Sequence, residues 1–274
     1  MSSASNPNPA IVIPTYKAIP LPEERISLTQ CQKILGSRDI YLLTPEGLNI
    51  DAYQQIFPNL KFINVAPALM ASYQAYNRLM VSPFIFNYLK SHSHILIYEP
   101  DAIVIKDDLD FWCQQGFDYI GAPWFKKDNS DALTLSAAGN FGFSLINTKS
   151  VNAIFRSDMR WYSAAMIIRD IFRGVRGKKG SIARALKALG SAGKISGASE
   201  LFDEHCDIFW SFTVPGVVSK FKVAPPMMAI LFSWETYPEK CSELNGNKLP
   251  FGMHAWAKHN PTFVKQLIQM QDSR

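Results

Sequence analysis

Residues 94–105 read HILIYEPDAIVI, the most apolar strand pattern in the chain, and they carry two carboxylates, Glu99 and Asp101, in their middle. A buried strand seldom takes charged side chains without partners, because a carboxylate taken out of water loses its hydration and regains nothing. Two acids two positions apart, followed by Asp107 and Asp108, suit a hard divalent cation that takes oxygen ligands and leaves positions open for phosphate. The competing reading is that Pro100 breaks the strand and the acids point to solvent, since strand side chains alternate between faces.

Working outward, AIVIPTYK (10–17) reads as a short buried strand that stops at Pro14 and runs into a loop, the place where α/β proteins seat ligands. Residues 21–35 show helical spacing at Ile26, Leu28, Cys31, Ile34 and Leu35, with Gly36 as a stop. DIYLLTP (39–45) and LKFINV (60–65) read as further strands. Strand, helix, strand predicts a βαβ unit and a mostly parallel sheet. Tyr73 to Leu89 reads as a helix interrupted near Pro83, DYIGAPWF (118–125) as a strand ending in a Pro-containing loop, and GNFGFSLIN (139–147) as a Gly-rich turn entering a strand. We expect an α/β fold with a mostly parallel central sheet and an inserted basic helical segment over 156–194.

The chain has 274 residues, of which 47% are hydrophobic and 19% charged, enough apolar material for a large core and unlike a disordered chain. The first ten residues lack the basic start and apolar run of a signal peptide, and no stretch approaches the roughly 20 apolar residues of a membrane span, so a cytosolic protein is expected. Cys31, Cys113, Cys206 and Cys241 lie far apart with no C-x-x-C pair, which argues for reduced thiols rather than a zinc ribbon or disulfide framework. The net charge of +5 is concentrated: residues 156–194 hold ten Lys or Arg against two Asp, and the remainder is 18 basic against 21 acidic. Positive charge interleaved there with Trp161, Tyr162, Ile167, Ile168, Phe172, Ile182, Leu186 and Leu189 is the pattern of a helix lying on an anionic membrane face. A solvated lobe hinged at Gly174, Gly177, Gly180 and Gly190 is the bland alternative.

Other residues offer chemistry more weakly. His254 stands between Phe251 and Trp256, where a packed histidine is commoner than a metal ligand. Glu204 and Asp207 are spaced one helical turn apart, so either could serve a cleft as general base, or both could simply enrich a first turn capped by Asp203. His205 and Cys206 beside them suggest a metal or Cys-His site only faintly. Gly139, Asn140 and Gly142 would let backbone approach a ligand, or make a plain turn.

In order, the blocks IVIPTYK, YNRLM, LIYEPDAIVIKDDLDFWC, DYIGAPWF, GNFGFSLIN, DIFWS and LPFGMHAW resemble a family catalogued as a domain of unknown function and grouped with GT-A glycosyltransferases. The likeness runs over most of residues 10–260, with no counterpart for about 156–200. It implies a GT-A-like, Rossmann-related domain over 10–265 behind a flexible N-terminus at 1–9. Residues 10–150 would form the nucleotide-sugar and metal half, and 195–265 the acceptor and catalytic half. It also implies a nucleotide-diphosphate-sugar donor, Mn²⁺ or Mg²⁺ bridging its phosphates, and transfer of the sugar to a glycan or lipid-linked acceptor in surface polysaccharide or glycolipid synthesis. By position, Pro14, Thr15 and Tyr16 fall where such enzymes seat the base, and Asn77 and Arg78 at donor contacts. Asn140 and Gly142 fall at the sugar pocket, Asp101 at the metal-binding acid, Asp207 at the base with Glu204 as substitute, and His254 at a late metal or diphosphate position. Asp-x-Asp is usual in these enzymes, whereas Glu99-x-Asp101 stands here.

A glycosyltransferase is the leading expectation, placed in the cytoplasm and peripheral at the inner membrane face through 156–194. A nucleotide-sugar or carbohydrate binding protein without turnover is the second class, since fold does not fix function. Nucleic-acid binding comes third, resting on the basic segment alone.

Overall fold

The computed structural model describes residues 6–127 and 132–272, with side chains described through residue 266. Strands β1 (Ala10–Pro14), β2 (Asp39–Pro45), β3 (Lys61–Val65), β4 (His94–Tyr98), β6 (Tyr119–Lys127) and β7 (Leu133–Asn147) form one sheet in the order β3-β2-β1-β4-β7-β6. The first four run parallel, while β7 is antiparallel to both its neighbours. A second, small sheet joins β5 (Ile103–Val104), β9 (Gly252–Met253) and β8 (Ser233–Trp234). The mixed α/β architecture with a mostly parallel central sheet is the one the alternating pattern predicts.

Strand alternation divides the interior into layers. Ala10, Val12, Ile95 and Ile97 face one apolar cluster, which also takes in helices α2 (Tyr73–Met80), α3 (Pro83–Tyr88) and α4 (Thr148–Phe155). Ile11, Ile13, Leu96 and Tyr98 face the other, where Leu28, Cys31 and Leu35 of helix α1 (Pro22–Leu35) cover the sheet. All four cysteines are buried and free, and burial pushes the Cys31 thiol well up and that of Cys113 to about 12.

Three local expectations are corrected. First, residues 94–105 do not make one strand. Strand β4 stops at Tyr98, Glu99 to Asp101 form a turn closed by Ala102 N–H donating to Glu99 O at 2.8 Å, and the chain re-enters as β5 in the other sheet. Pro100 ends the strand, as its missing N–H dictates.

Second, residues 139–142 are no turn but lie inside the fifteen-residue β7, and β6 continues through Pro123 opposite Ala138. Pro123 is tolerated because β6 is an edge strand with register shifts around it.

Third, Trp161 and Tyr162 are buried in the core and Ile167 is half-buried, so these side chains do not join an exposed face. The N-terminal residues 1–5 lie outside the described residues, and Asn8 exchanges two hydrogen bonds with Ser93. Among the described residues no helix is long and apolar enough to cross a membrane.

Candidate metal-binding cleft

The strand order reverses direction at β1 and β4: β2 and β3 build out from one side of β1, and β4 adds on the other. Loops leaving the carboxyl ends of such a pair diverge and open a crevice. Thr15, Tyr16 and Lys17 leave β1 there, and Glu99 to Asp101 leave β4. Between them lies a cleft of about 420 Å³. A smaller recess continues from it past the shared Tyr73, Tyr76 and Glu99 to Asn77, Asn140, Gly142, Asp207 and His254.

Three side chains of metal-ligand type converge at the junction, with one donor atom from each of Glu99, Asp101 and His254 lying within 4.8 Å of the others. His254 Nε2 is 3.3 Å from Glu99 Oε2 and 3.3 Å from Asp101 Oδ1. The turn after β4 aims both carboxylates, while His254 leaves β9 with its N–H bonded to Trp234 O at 2.8 Å. The acids therefore turn towards a common point rather than into bulk water.

On its far side His254 Nδ1 lies 3.2 Å from Glu235 Oε1, although the angle does not make an aligned hydrogen bond. Burial would lower the pKa of this imidazole, but the carboxylates of Asp101, Glu235 and Glu99 that surround it outweigh burial and hold it well above the ordinary value. Burial likewise pushes Asp101 up, yet His254 and the charge of Lys17 bring its carboxyl below the ordinary range. Glycine at 142 is demanded by space: a Cβ there would overlap the His254 ring.

The remaining sequence candidates divide. Pro14, Thr15 and Tyr16 line the cleft; Thr15 is buried against Tyr53, with the two hydroxyls 2.7 Å apart, whereas Tyr16 is exposed. Asn77 and Asn140 line the recess, but both are tied to backbone. Asn77 accepts from Cys206 N–H at 2.6 Å and donates to Tyr73 O, and Asn140 accepts from Gly142 N–H.

Asp207 lines the recess from a one-turn helix at Cys206–Ile208, where burial raises its pKa more than the Ile208 N–H lowers it. Glu204 is exposed, precedes that helix and lines neither cavity. Asp203 is not the cap, which is His205; it pairs instead with Arg78 at 2.7 Å and with Arg184. Arg78 is thus engaged with Asp203 and lines neither cavity. Burial pushes the Cys206 thiol well above its ordinary value, which argues against a thiolate nucleophile.

Four residues escaped the sequence reading. Glu235 ends the apolar run AILFSW as Glu99 ends ILIY, a carboxylate closing a buried segment being the available signal. Lys17 lines the cleft and pairs with Glu24 at 2.6 Å. Tyr76 donates to Glu99 Oε1 at 3.0 Å, and exposed Tyr73 bonds His205 Nδ1 at 2.7 Å on the wall of the cleft.

Comparison with known proteins gives several partial likenesses. No curated protein sequence is similar to this one. Among solved structures, similarity extends to the mannosyltransferase Ktr4p from S. cerevisiae, at 15% identity over 44% of this chain and 40% of that one, TM-score 0.35. Core-mannan synthase A from Aspergillus fumigatus, in its Mn/GDP form, matches at 12% identity over 73% of each chain, TM-score 0.41. The bifunctional glycosyltransferase WbbM matches at 10% identity over 99% of this chain and 50% of that one, TM-score 0.47. The chain thus spans less than half of the yeast protein and half of WbbM.

The family model DUF5672, a protein family of unknown function, matches residues 59–254. That span is shorter than the motif order suggested and leaves out β1 and its loop, while it takes in the basic segment. With most of its length so matched, from β3 to His254, the chain belongs to the DUF5672 family.

Proposed function

We propose that this protein is a metal-dependent glycosyltransferase of the GT-A type that moves a sugar from a nucleoside-diphosphate donor to an acceptor hydroxyl. The observation that carries the reading is the convergence of Glu99, Asp101 and His254 at the carboxyl ends of β1 and β4, between a cleft and a recess that also reaches the half-buried carboxylate of Asp207. The residues fit a divalent cation: two carboxylates and one imidazole share one point, the absent Cβ of Gly142 leaves the ring its place, and Glu235 stands where an outer carboxylate orients a ligating histidine. One nitrogen beside two oxygens favours Mn²⁺ over Mg²⁺, which takes oxygen almost alone. When bound, such an ion supplies positive charge to the diphosphate and helps it depart.

The chain's own groups supply the rest. Exposed Tyr16 and Tyr73 both line the cleft and offer aromatic faces for a nucleoside base, and Lys17 adds a cation near Asp101 for phosphate. Asn140 and Gly142 border the recess where the sugar would lie. Asp207, with its raised pKa, takes the proton of the acceptor hydroxyl as that oxygen bonds to the anomeric carbon. The bond from that carbon to the phosphate oxygen breaks, and the electron pair leaves with the nucleoside diphosphate.

Thermal-shift measurements on a panel of nucleotide-sugars, with and without Mn²⁺, test the reading, since a ligand that binds only the folded state raises the melting temperature. A donor that stabilises only with Mn²⁺, and loses this in Asp101→Asn, supports it. Metal-independent stabilisation unchanged in Asp101→Asn overturns it. Sugar transfer assayed with the donor so found separates an enzyme from a binding protein.

A further inference from the structure

Two helices of the basic segment carry an apolar face that no other part of the described residues covers. Helix α5 (Ala164–Val175) presents Ile168, Ile171, Phe172 and Val175, spaced i, i+3, i+4 and i+7, and Phe172 and Val175 are 62% and 74% exposed. Helix α6 (Ser181–Leu189) presents Ile182, Leu186 and Leu189, with Leu186 64% exposed. The faces meet across the hairpin, because Gly174 sits so close under the Ile182 side chain that a Cβ would overlap it. Seven large apolar side chains form one exposed patch, far more than scattered surface residues explain.

The hairpin is held by its opposite side. Asp170 is buried there, accepts from Tyr162 OH and lies 3.5 Å from Arg184 Nε, while Arg184 also reaches Asp203 and Leu201 O. Ser181, Ala185 and Ala188 pack inward. Around the apolar face stand cations: among the described residues no carboxylate lies within ion-pair distance of Arg176, Lys178, Lys179 or Lys187. Arg169, Phe172, Arg173 and Arg176 together border a shallow open depression.

We infer that this hairpin is a membrane-docking element that inserts its apolar face between the headgroups of an anionic lipid surface. An apolar face ringed by cations is complementary to acyl chains beneath negative headgroups. A second copy of the chain would bring the same positive charges together, and a nucleic acid would leave Ile168, Phe172 and Val175 in water. The docking stands independently of the chemistry proposed for the cleft.

Sedimentation with phosphatidylcholine vesicles, with and without phosphatidylglycerol, tests it on the full chain. The expected result is binding to the anionic vesicles only, falling steeply as salt rises through the physiological range. Phe172→Ser with Val175→Ser, at exposed positions that spare the fold, should weaken this binding more than tenfold. Arg176→Gln, Lys178→Gln and Lys179→Gln together should weaken it about a hundredfold, roughly fivefold for each cation. Circular dichroism reports that the variants stay folded. Equal binding to both vesicle types, or none at low salt, overturns the inference. So does a dimer in sedimentation velocity that Phe172→Ser dissolves without vesicle binding, or oligonucleotide binding that survives the loss of both apolar side chains.

Discussion

Gly142 lies directly beneath the imidazole of His254, so closely that a methyl group at position 142 would occupy the space of Nε2. The ring's position is therefore dictated by β7, the neighbour of β4, whose Gly142 O accepts from Glu99 N–H at 2.8 Å. Gly142→Ala should displace the imidazole from Glu99 and Asp101 and cost about 1–3 kcal/mol of stability, the range for overpacking. Mn²⁺ titration by calorimetry should show affinity reduced at least tenfold; an unchanged affinity would mean that the ring is not a ligand.

The raised pKa of His254 predicts how metal-free protein responds to pH. Its folded value lies above the unfolded 6.5, so the stability it contributes is fully present below pH 6.5 and is lost as pH rises through the folded value. Asp101 behaves oppositely: its folded value lies below 3.8, so its contribution is present above that pH and is lost as pH falls through the folded value. Denaturant midpoints measured in chelator should decline on the alkaline side, and His254→Gln should remove the decline. Mn²⁺ binding near neutral pH should release a proton, visible as a dependence of the calorimetric heat on buffer ionisation enthalpy.

Asp207 and Glu204 separate cleanly once geometry is known. Asp207 lines the recess and Glu204 does not. Asp207→Ala is expected to reduce turnover by about 10² to 10⁴ fold while sparing donor binding, the range for a positioned base. Glu204→Ala should leave turnover within about twofold, there being no chemistry for it to touch. Single-turnover assays at saturating donor distinguish the two, and full activity in Asp207→Ala refutes its role.

Arg184 is the hairpin's attachment. Arg184→Leu removes the nearest of the three guanidinium groups around buried Asp170, leaving Arg169 at 3.7 Å and Arg173 at 4.0 Å, together with the arginine's bond to Leu201 O, and should destabilise the protein by about 2 kcal/mol. Arg78→Leu removes a half-exposed pair with Asp203 and should cost less than about 1 kcal/mol. Urea unfolding of both variants measures the contrast.

How much of this was legible in the residues depends on what each feature needs. Helix α1 and strands β1 to β3 follow from local periodicity and Gly or Pro punctuation, and they fall within a few residues of expectation. The conflict at Glu99 and Asp101 was visible too, because charge inside an apolar run is a local anomaly. Its resolution was not: the turn at Pro100 hands the chain to a second sheet whose other strands lie near residues 233 and 252. Glu235 stayed hidden for the same reason, since only the pairing of β8 with β9 sets it behind His254. Gly139 and Gly142 read as a turn because glycine usually signals backbone freedom, and here Gly142 signals a neighbour's bulk instead. Trp161 and Tyr162 read as part of an amphipathic surface because charge flanks them, yet they pack inward against Phe202 and Phe209.

The small sheet has a consequence for biosynthesis. Strand β5 begins two residues after Asp101, and among the described residues its one neighbour in this sheet is β9, next to His254. A ribosome delivers Glu99 and Asp101 long before that partner exists, so the nascent chain holds an unpaired strand beside two mutually repelling acids until Gly252 and Met253 emerge. The three side chains that converge on one point are thus brought together only after about 150 further residues have been made, and until then the two acids stand without their imidazole.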